Sequence, residues 1–205
     1  MKKCALCVIA GLFLFTMSGV GAELGGRKLW LIYHIGLADG AAGKTDGVVF
    51  KVEVAGEGNG RTILGETEWD VSEWRFCKVD LSKYAGKRVA IRFITDPGMT
   101  TNYDWACWGD IKIIEGDPPM DNDGETLPSG TKVVHDLNRI DPARTGIIRE
   151  GKDVTPIDSG LTGATFVARP RTCGGVEKMG YEAHPGWKGE SYGCPSFGEF
   201  EVDLK

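Results

Sequence analysis

Apolar residues recur along this chain at every second position, in short runs broken by turn residues. Residues 48–54 read Val-Val-Phe-Lys-Val-Glu-Val, with Val48, Phe50, Val52 and Val54 on one face. The same alternation places Cys77, Val79 and Leu81 together, and Val89, Ile91 and Phe93 together. It returns at the C-terminal end, where Phe200, Val202 and Leu204 oppose Glu199, Glu201, Asp203 and Lys205. A period of two is that of a half-buried β-strand. Residues 28–35, "KLWLIYHI", are almost continuously apolar, as in a strand buried on both faces. In "DWACWGDIKII" (104–114) the alternation groups Trp105, Cys107, Ile111 and Ile113. Looser runs at 131–137, 145–150 and 164–168 are also β-like. Many short strands between turn-rich connectors such as "SKYAGK" and "DPGMTTN" predict an all-β antiparallel sandwich.

Residues 115–130, "EGDPPMDNDGETLPSG", have no period and read as a linker or long surface loop. Its "DNDG" is not an EF-hand, because Pro119 and Gly130 stand where acidic ligands are required. The first 22 residues are set apart. Lys2 and Lys3 precede an apolar run from Ala5 to about Met17, and Val20 and Ala22 fit a cleavage site, the pattern of an export signal. The run is short for a membrane span of about 20 residues, and no second span follows. The expected location is therefore periplasmic, secreted or cell-surface.

The formal charge of −5 becomes −7 without Lys2 and Lys3, and no basic run exists, which argues against a nucleic-acid partner. Cys77, Cys107, Cys173 and Cys194 remain outside the leader. In an oxidising compartment they suit disulfides, and the expected pairs are 77–107 and 173–194. Zinc spacing is absent there. GxSxG, HExxH and P-loop signatures are absent too, so no enzyme is expected. His34 reads as a packed strand residue, His135 as an edge-strand residue and His184, in "EAHPGWKG", as the histidine best placed for a ligand.

All six tryptophans lie beyond the leader. Sugars present apolar C–H faces beside hydroxyls, so exposed aromatics with Asp, Asn or His suit them. Trp105 and Trp108 fit a sandwich core, while Trp187 and Tyr192, among glycines, fit a surface site. Asp39, Asp46, Asp96, Asp104 and Asp110 cluster in loops, where they can cap turns or hold a structural Ca2+.

Three stretches resemble a known family. "IGLADGAAGKTDGVVFKVEV", "VDLSKYAGKRVAIRFITDPG" and "NYDWACWGDIKI" are similar to the later half of galactose-binding-like jelly-roll modules, in particular the novel carbohydrate-binding modules of secreted bacterial proteins. "CGGVEKMGYEAHPGWKGESYGCPSFGEFEVDL" resembles the earlier half of the same module. The halves stand in reversed order. Residues 23–114 then supply the later half and 131–205 the earlier half, of one circularly permuted domain or of two truncated ones, with pairing between chains a further arrangement. The resemblance implies a non-catalytic, glycan- or polysaccharide-binding module. Asp104, Trp108, His184, Trp187 and Tyr192 are its expected binding residues, and Asp39 and Asp46 shape a loop or cation site. It also implies that the C-terminal strand lies beside residues 28–35. The rival readings are a structural or adhesive module of an extracellular assembly, and a fragment of the accessory region of a glycoside hydrolase.

Overall fold

The structure is a computed structural model that describes residues 26–56, 58, 60–120 and 126–205; the expected export signal lies outside them. Among the described residues fourteen strands follow one another: β1 (Leu29–Leu37), β2 (Val48–Gly56), β3 (Thr62–Trp69), β4 (Arg75–Asp80), β5 (Arg88–Pro97), β6 (Ala106–Glu115), β7 (Lys132–Asp136), β8 (Arg144–Arg149), β9 (Lys152–Val154), β10 (Thr165–Ala168), β11 (Arg171–Cys173), β12 (Val176–Lys178), β13 (Gly180–His184) and β14 (Ser196–Asp203). They form two six-stranded sheets and one small hairpin. The first sheet runs β10-β13-β6-β1-β4, with β7 also paired to β6; the second runs β3-β2-β5-β14-β8-β9. The hairpin is β11-β12, and the described pairings are antiparallel. The protein is an all-β sandwich.

The alternating residues meet between the two sheets. Leu31, Tyr33 and Ile35 of β1, Phe50 and Val52 of β2, Ile91 and Phe93 of β5, and Phe200 and Val202 of β14 belong to one buried cluster. Edge-to-face ring pairs, Phe93 with Trp108 at 5.1 Å and Phe93 with Phe200 at 5.7 Å, lock its centre. Both sheets draw strands from residues 29–115 and from residues 132–203. Segment 115–130 is not a spacer between bodies, because it joins β6 to β7, which pair with each other.

Two expectations are corrected. The last strand does not pair with residues 28–35. Strand β1 already has β4 and β6 as neighbours, and β14 fills the gap between β5 and β8 in the opposite sheet. The segment before β1 still meets the one after β14: Arg27 donates from Nη1 to the Leu204 carbonyl at 2.9 Å and from Nη2 to Glu115 at 2.8 Å. The second correction concerns β6. Asp110 has a positive φ of 47°, and the β1–β6 register shifts between Ile32 and His34. Such a bulge reverses which face each side chain takes. Ala106 and Trp108 therefore point inward before it, and Ile111 and Ile113 after it, while Cys107 takes the other face and Trp105, just ahead of β6, is exposed.

The outer face of the second sheet carries a buried ion network. Arg92, opposite Glu199 across the β5–β14 ladder, donates from Nε to Glu199 at 3.0 Å and makes a two-pronged contact with Asp153. Arg61 and Arg144 also reach Glu199. Burial works against the Glu199 charge, but the arginines outweigh it and hold its pKa below the usual range. Beside it Gly198 is required, since a Cβ there would collide with the Phe166 ring.

Phe200→Ala should cost about 3–5 kcal/mol in urea unfolding, the range for emptying a buried aromatic site. Deleting residues 197–205 should abolish cooperative unfolding, because it opens an edge on both β5 and β8.

Candidate aromatic binding site

At one end of the sandwich the β5–β6 connection meets the segment that follows β13. Between them lies a cleft of about 250 Å3 bordered by Thr101, Asn102, Tyr103, Trp105, His184, Trp187 and Tyr192. Four of these are aromatic and exposed: Tyr103 at 43%, Trp105 at 36%, Trp187 at 48% and Tyr192 at 57%. Large rings left this open beside polar groups are the informative kind of surface residue.

Local structure explains each placement. Tyr103 sits at a left-handed φ of 57°, unusual for a bulky residue and costing about 1–3 kcal/mol. It turns the chain so that its ring leans on Trp105, 5.3 Å away. Lys44 covers Tyr103 at 5.0 Å. Trp105 is turned outward by the parity of β6 set at Asp110, and its carbonyl accepts from Ala38 N at 2.9 Å. Trp187 is held by its backbone: its N–H and that of Lys188 donate to Thr162 O at 2.9 and 3.1 Å. Its ring lies against Gly163, whose φ of 71° and lack of a Cβ make that seat available. Gly186 and Cys194 close the loop that carries Tyr192 through a two-residue bridge.

His184 ends β13. Its Nδ1 lies 2.7 Å from the Pro185 carbonyl, which can only accept. The proton therefore sits on Nδ1, and Nε2 is left as an acceptor. Burial lowers the His184 pKa below its ordinary value, against the opposing effects of the Pro185 carbonyl and Glu182.

Of the five expected binding residues, His184, Trp187 and Tyr192 come together here. Trp108 does not: it is 1% exposed, in the core, with its indole N–H donated to Thr95 at 3.1 Å. Asp104 is also removed from the surface. It is fully buried, with Oδ1 accepting from Thr45 Oγ1 at 2.7 Å and Oδ2 without a hydrogen-bond partner among the described residues. Burial pushes its pKa up to about 6; the Thr45 hydrogen bond opposes this and the Asp46 charge adds to it. Asp104 therefore supports the site from beneath, holding the 101–105 turn to Thr45. The residues that pattern reasoning missed are Thr101, Asn102, Tyr103 and Trp105. For Trp105 the signal was masked by the β6 bulge, which a strict alternation does not anticipate.

The two aspartates expected to shape a loop or cation site cap turns. Asp39 accepts from Gly174 N at 2.8 Å and Gly175 N at 3.3 Å. Asp46 accepts from Met99 N, Thr100 N and Thr100 Oγ1 at 2.7–2.9 Å. Burial disfavours the Asp46 charge, but these donors prevail and lower its pKa. Both carboxylates are thus engaged by turn donors, and among the described residues no group of three or more His, Cys, Asp or Glu is placed to hold a metal.

The cysteine pairs expected from sequence are not formed; Cys77, Cys107, Cys173 and Cys194 are all free thiols. Cys77 and Cys107 lie on β4 and β6, which flank β1 on opposite sides. Two strand spacings are about 10 Å, beyond the roughly 7 Å Cα reach of a disulfide. They also face opposite ways, Cys77 packing on the main core and Cys107 on the outer face of the sheet. Cys194 packs with Ile147 and Ala164, in a different cluster from Cys173.

No protein-family model matches this chain, and no solved structure matches it. Over 77 residues, 34% of the chain, it is 36% identical to a protein of Archaeoglobus fulgidus described as an uncharacterized protein. The chain spans only 19% of that protein's length.

Asp104 gives a pH test. Its raised pKa means that the fold disfavours the ionised form. Its contribution is therefore most favourable below about pH 4 and is lost as pH rises through about 6, by on the order of 3 kcal/mol for two pKa units. The Asp104→Asn protein should gain stability relative to the parent across pH 4 to 6, read as a diverging pair of Tm curves.

Proposed function

We propose that this protein is a non-catalytic glycan-binding module that acts outside the cytoplasm. The observation that carries the reading is the cleft where Tyr103, Trp105, Trp187 and Tyr192 stay exposed around His184, Thr101 and Asn102. Rings offer flat apolar faces to the C–H side of a sugar, and the amide, hydroxyl and imidazole groups meet its hydroxyls. A neutral His184 with a free acceptor at Nε2 suits a hydroxyl donor. The described residues that border the cleft are aromatic, hydroxyl, amide and imidazole groups, a set suited to binding a sugar. The resemblance to galactose-binding-like carbohydrate-binding modules supports the same reading, with the jelly-roll halves in permuted order. Permutation is physically reasonable, because Arg27 holds the start of β1 against Leu204.

The test is a glycan array followed by calorimetry on the best sugar. Trp187→Ala and Trp105→Ala should each weaken binding about 10-fold, roughly 1.4 kcal/mol, with an unchanged melting curve. Affinity should hold from pH 8 to pH 7 and fall only below the usual imidazole range, where protonation converts the Nε2 acceptor into a donor. A protein that binds no sugar but keeps binding a cell-surface protein through the same rings is instead an adhesive module. Turnover of a glycoside would overturn the non-catalytic reading.

A further inference from the structure

The outer face of the first sheet is covered by the β11–β12 hairpin. Backbone N–H groups at its tip donate to Asp39, and Thr172 O accepts from Asp39 N at 3.0 Å. Trp74 Nε1 donates to Val176 O at 2.8 Å, and Lys178 reaches Asp110 at 3.0 Å. Beneath this hairpin sit two cysteines from distant parts of the chain. Cys173 Sγ lies 2.9 Å from where a Cβ on Gly36 would stand, so it occupies the space that residue leaves empty. Gly36 is the direct cross-strand partner of Cys107. Opposite residues on one sheet face have Cβ positions about 4.5–5.5 Å apart, which brings the Cys107 side chain to the same spot. The two residues share one small buried cluster with Ala38, and Trp74 packs on it. Cys107 Sγ donates to Trp105 O at 3.6 Å, which leaves its sulfur facing Cys173 within this cluster.

We infer that Cys107 and Cys173 are a disulfide-forming pair that fastens the β11–β12 hairpin to the sheet. The co-reactant is a disulfide oxidant, R–S–S–R. Cys173 borders a cleft of about 320 Å3 lined by His34, Trp74, Val176 and Lys178, so it is the sulfur that meets the oxidant first. Its thiol loses a proton and the thiolate attacks one oxidant sulfur. A mixed disulfide forms, and the first R–S− leaves and takes up a proton. Cys107, deprotonated in turn, attacks the Cys173 sulfur and expels the second R–S−. The net change is two thiols and one R–S–S–R giving one protein disulfide and two R–SH. The neighbouring Cys107 sulfur, which favours the protonated Cys173 thiol, together with burial, holds that thiol well above its ordinary pKa. Cross-linking is accordingly slow at neutral pH and accelerates as pH rises.

The experiment treats the full chain with oxidised glutathione or with dithiothreitol, blocks remaining thiols under denaturing conditions, and maps peptides by mass spectrometry without reduction. The expected product joins the Cys107 and Cys173 peptides. Hydrogen exchange of the amides at 171–178 should slow by about 10-fold on oxidation. A Cys77→Ser, Cys194→Ser double variant should form the same cross-link, while Cys173→Ser should form none and show no oxidant-dependent slowing. The inference is overturned if both cysteines remain alkylatable after oxidation, if either joins Cys77 or Cys194 instead, or if Cys173 stops at the glutathione adduct. These outcomes do not depend on sugar binding, so the two proposals fail separately.

Discussion

The structure depends on the second edge of β5. Its first edge is taken by β2, and the other would expose a row of unpaired amides and carbonyls along one of the most apolar strands in the chain. Strand β14 closes it over eight residue pairs, from Ser196 opposite Thr95 to Asp203 opposite Arg88. The same strand delivers Phe200 and Val202 to the inner face and Glu199 to the outer one. One pairing thus completes the backbone ladder, fills the core and neutralises Arg92. Without it, Arg92 would lose its cross-strand carboxylate and Phe93 one of its ring partners.

Much of this was legible from residue pattern. Inward positions on β2, β4, β5 and β14 follow strict alternation, and the burial of His34 within β1 follows from its apolar neighbours. The failures have identifiable causes. Strand β3, "TILGETEW", is an edge strand with no buried residue, so it offers little hydrophobic period to detect. On β6 a single left-handed residue, Asp110, inverts the facing of everything before it. That inversion misplaced Trp105 and Cys107 together, and hence part of the binding site and a cysteine pair at once. Strand partnership was beyond local pattern altogether. An apolar face announces that it needs cover, not which strand supplies it.

The candidate site shows the same division. His184, Trp187 and Tyr192 lie close in sequence and were recognisable as a group. Tyr103 and Trp105 come from the other side of the cleft, and only the fold brings them near. Asp104 has the right chemistry for a sugar contact, yet its position between two aromatics at a tight turn places it under the surface, bonded to Thr45. A residue type suited to a ligand is also suited to holding the turn that presents one.

The β5–β14 pairing has a kinetic side as well. Arg92 and Glu199 stand 107 residues apart, so joining them closes a very long loop before any contact rewards it. Chains dominated by such non-local pairings fold slowly. During that interval β5 carries an open edge beside Ile91 and Phe93, the kind of surface on which unfinished β-proteins associate with one another. The arrangement that gives the finished sandwich its continuous sheet therefore also sets its period of greatest vulnerability, and chaperone dependence or low refolding yield at high protein concentration would be its outward sign.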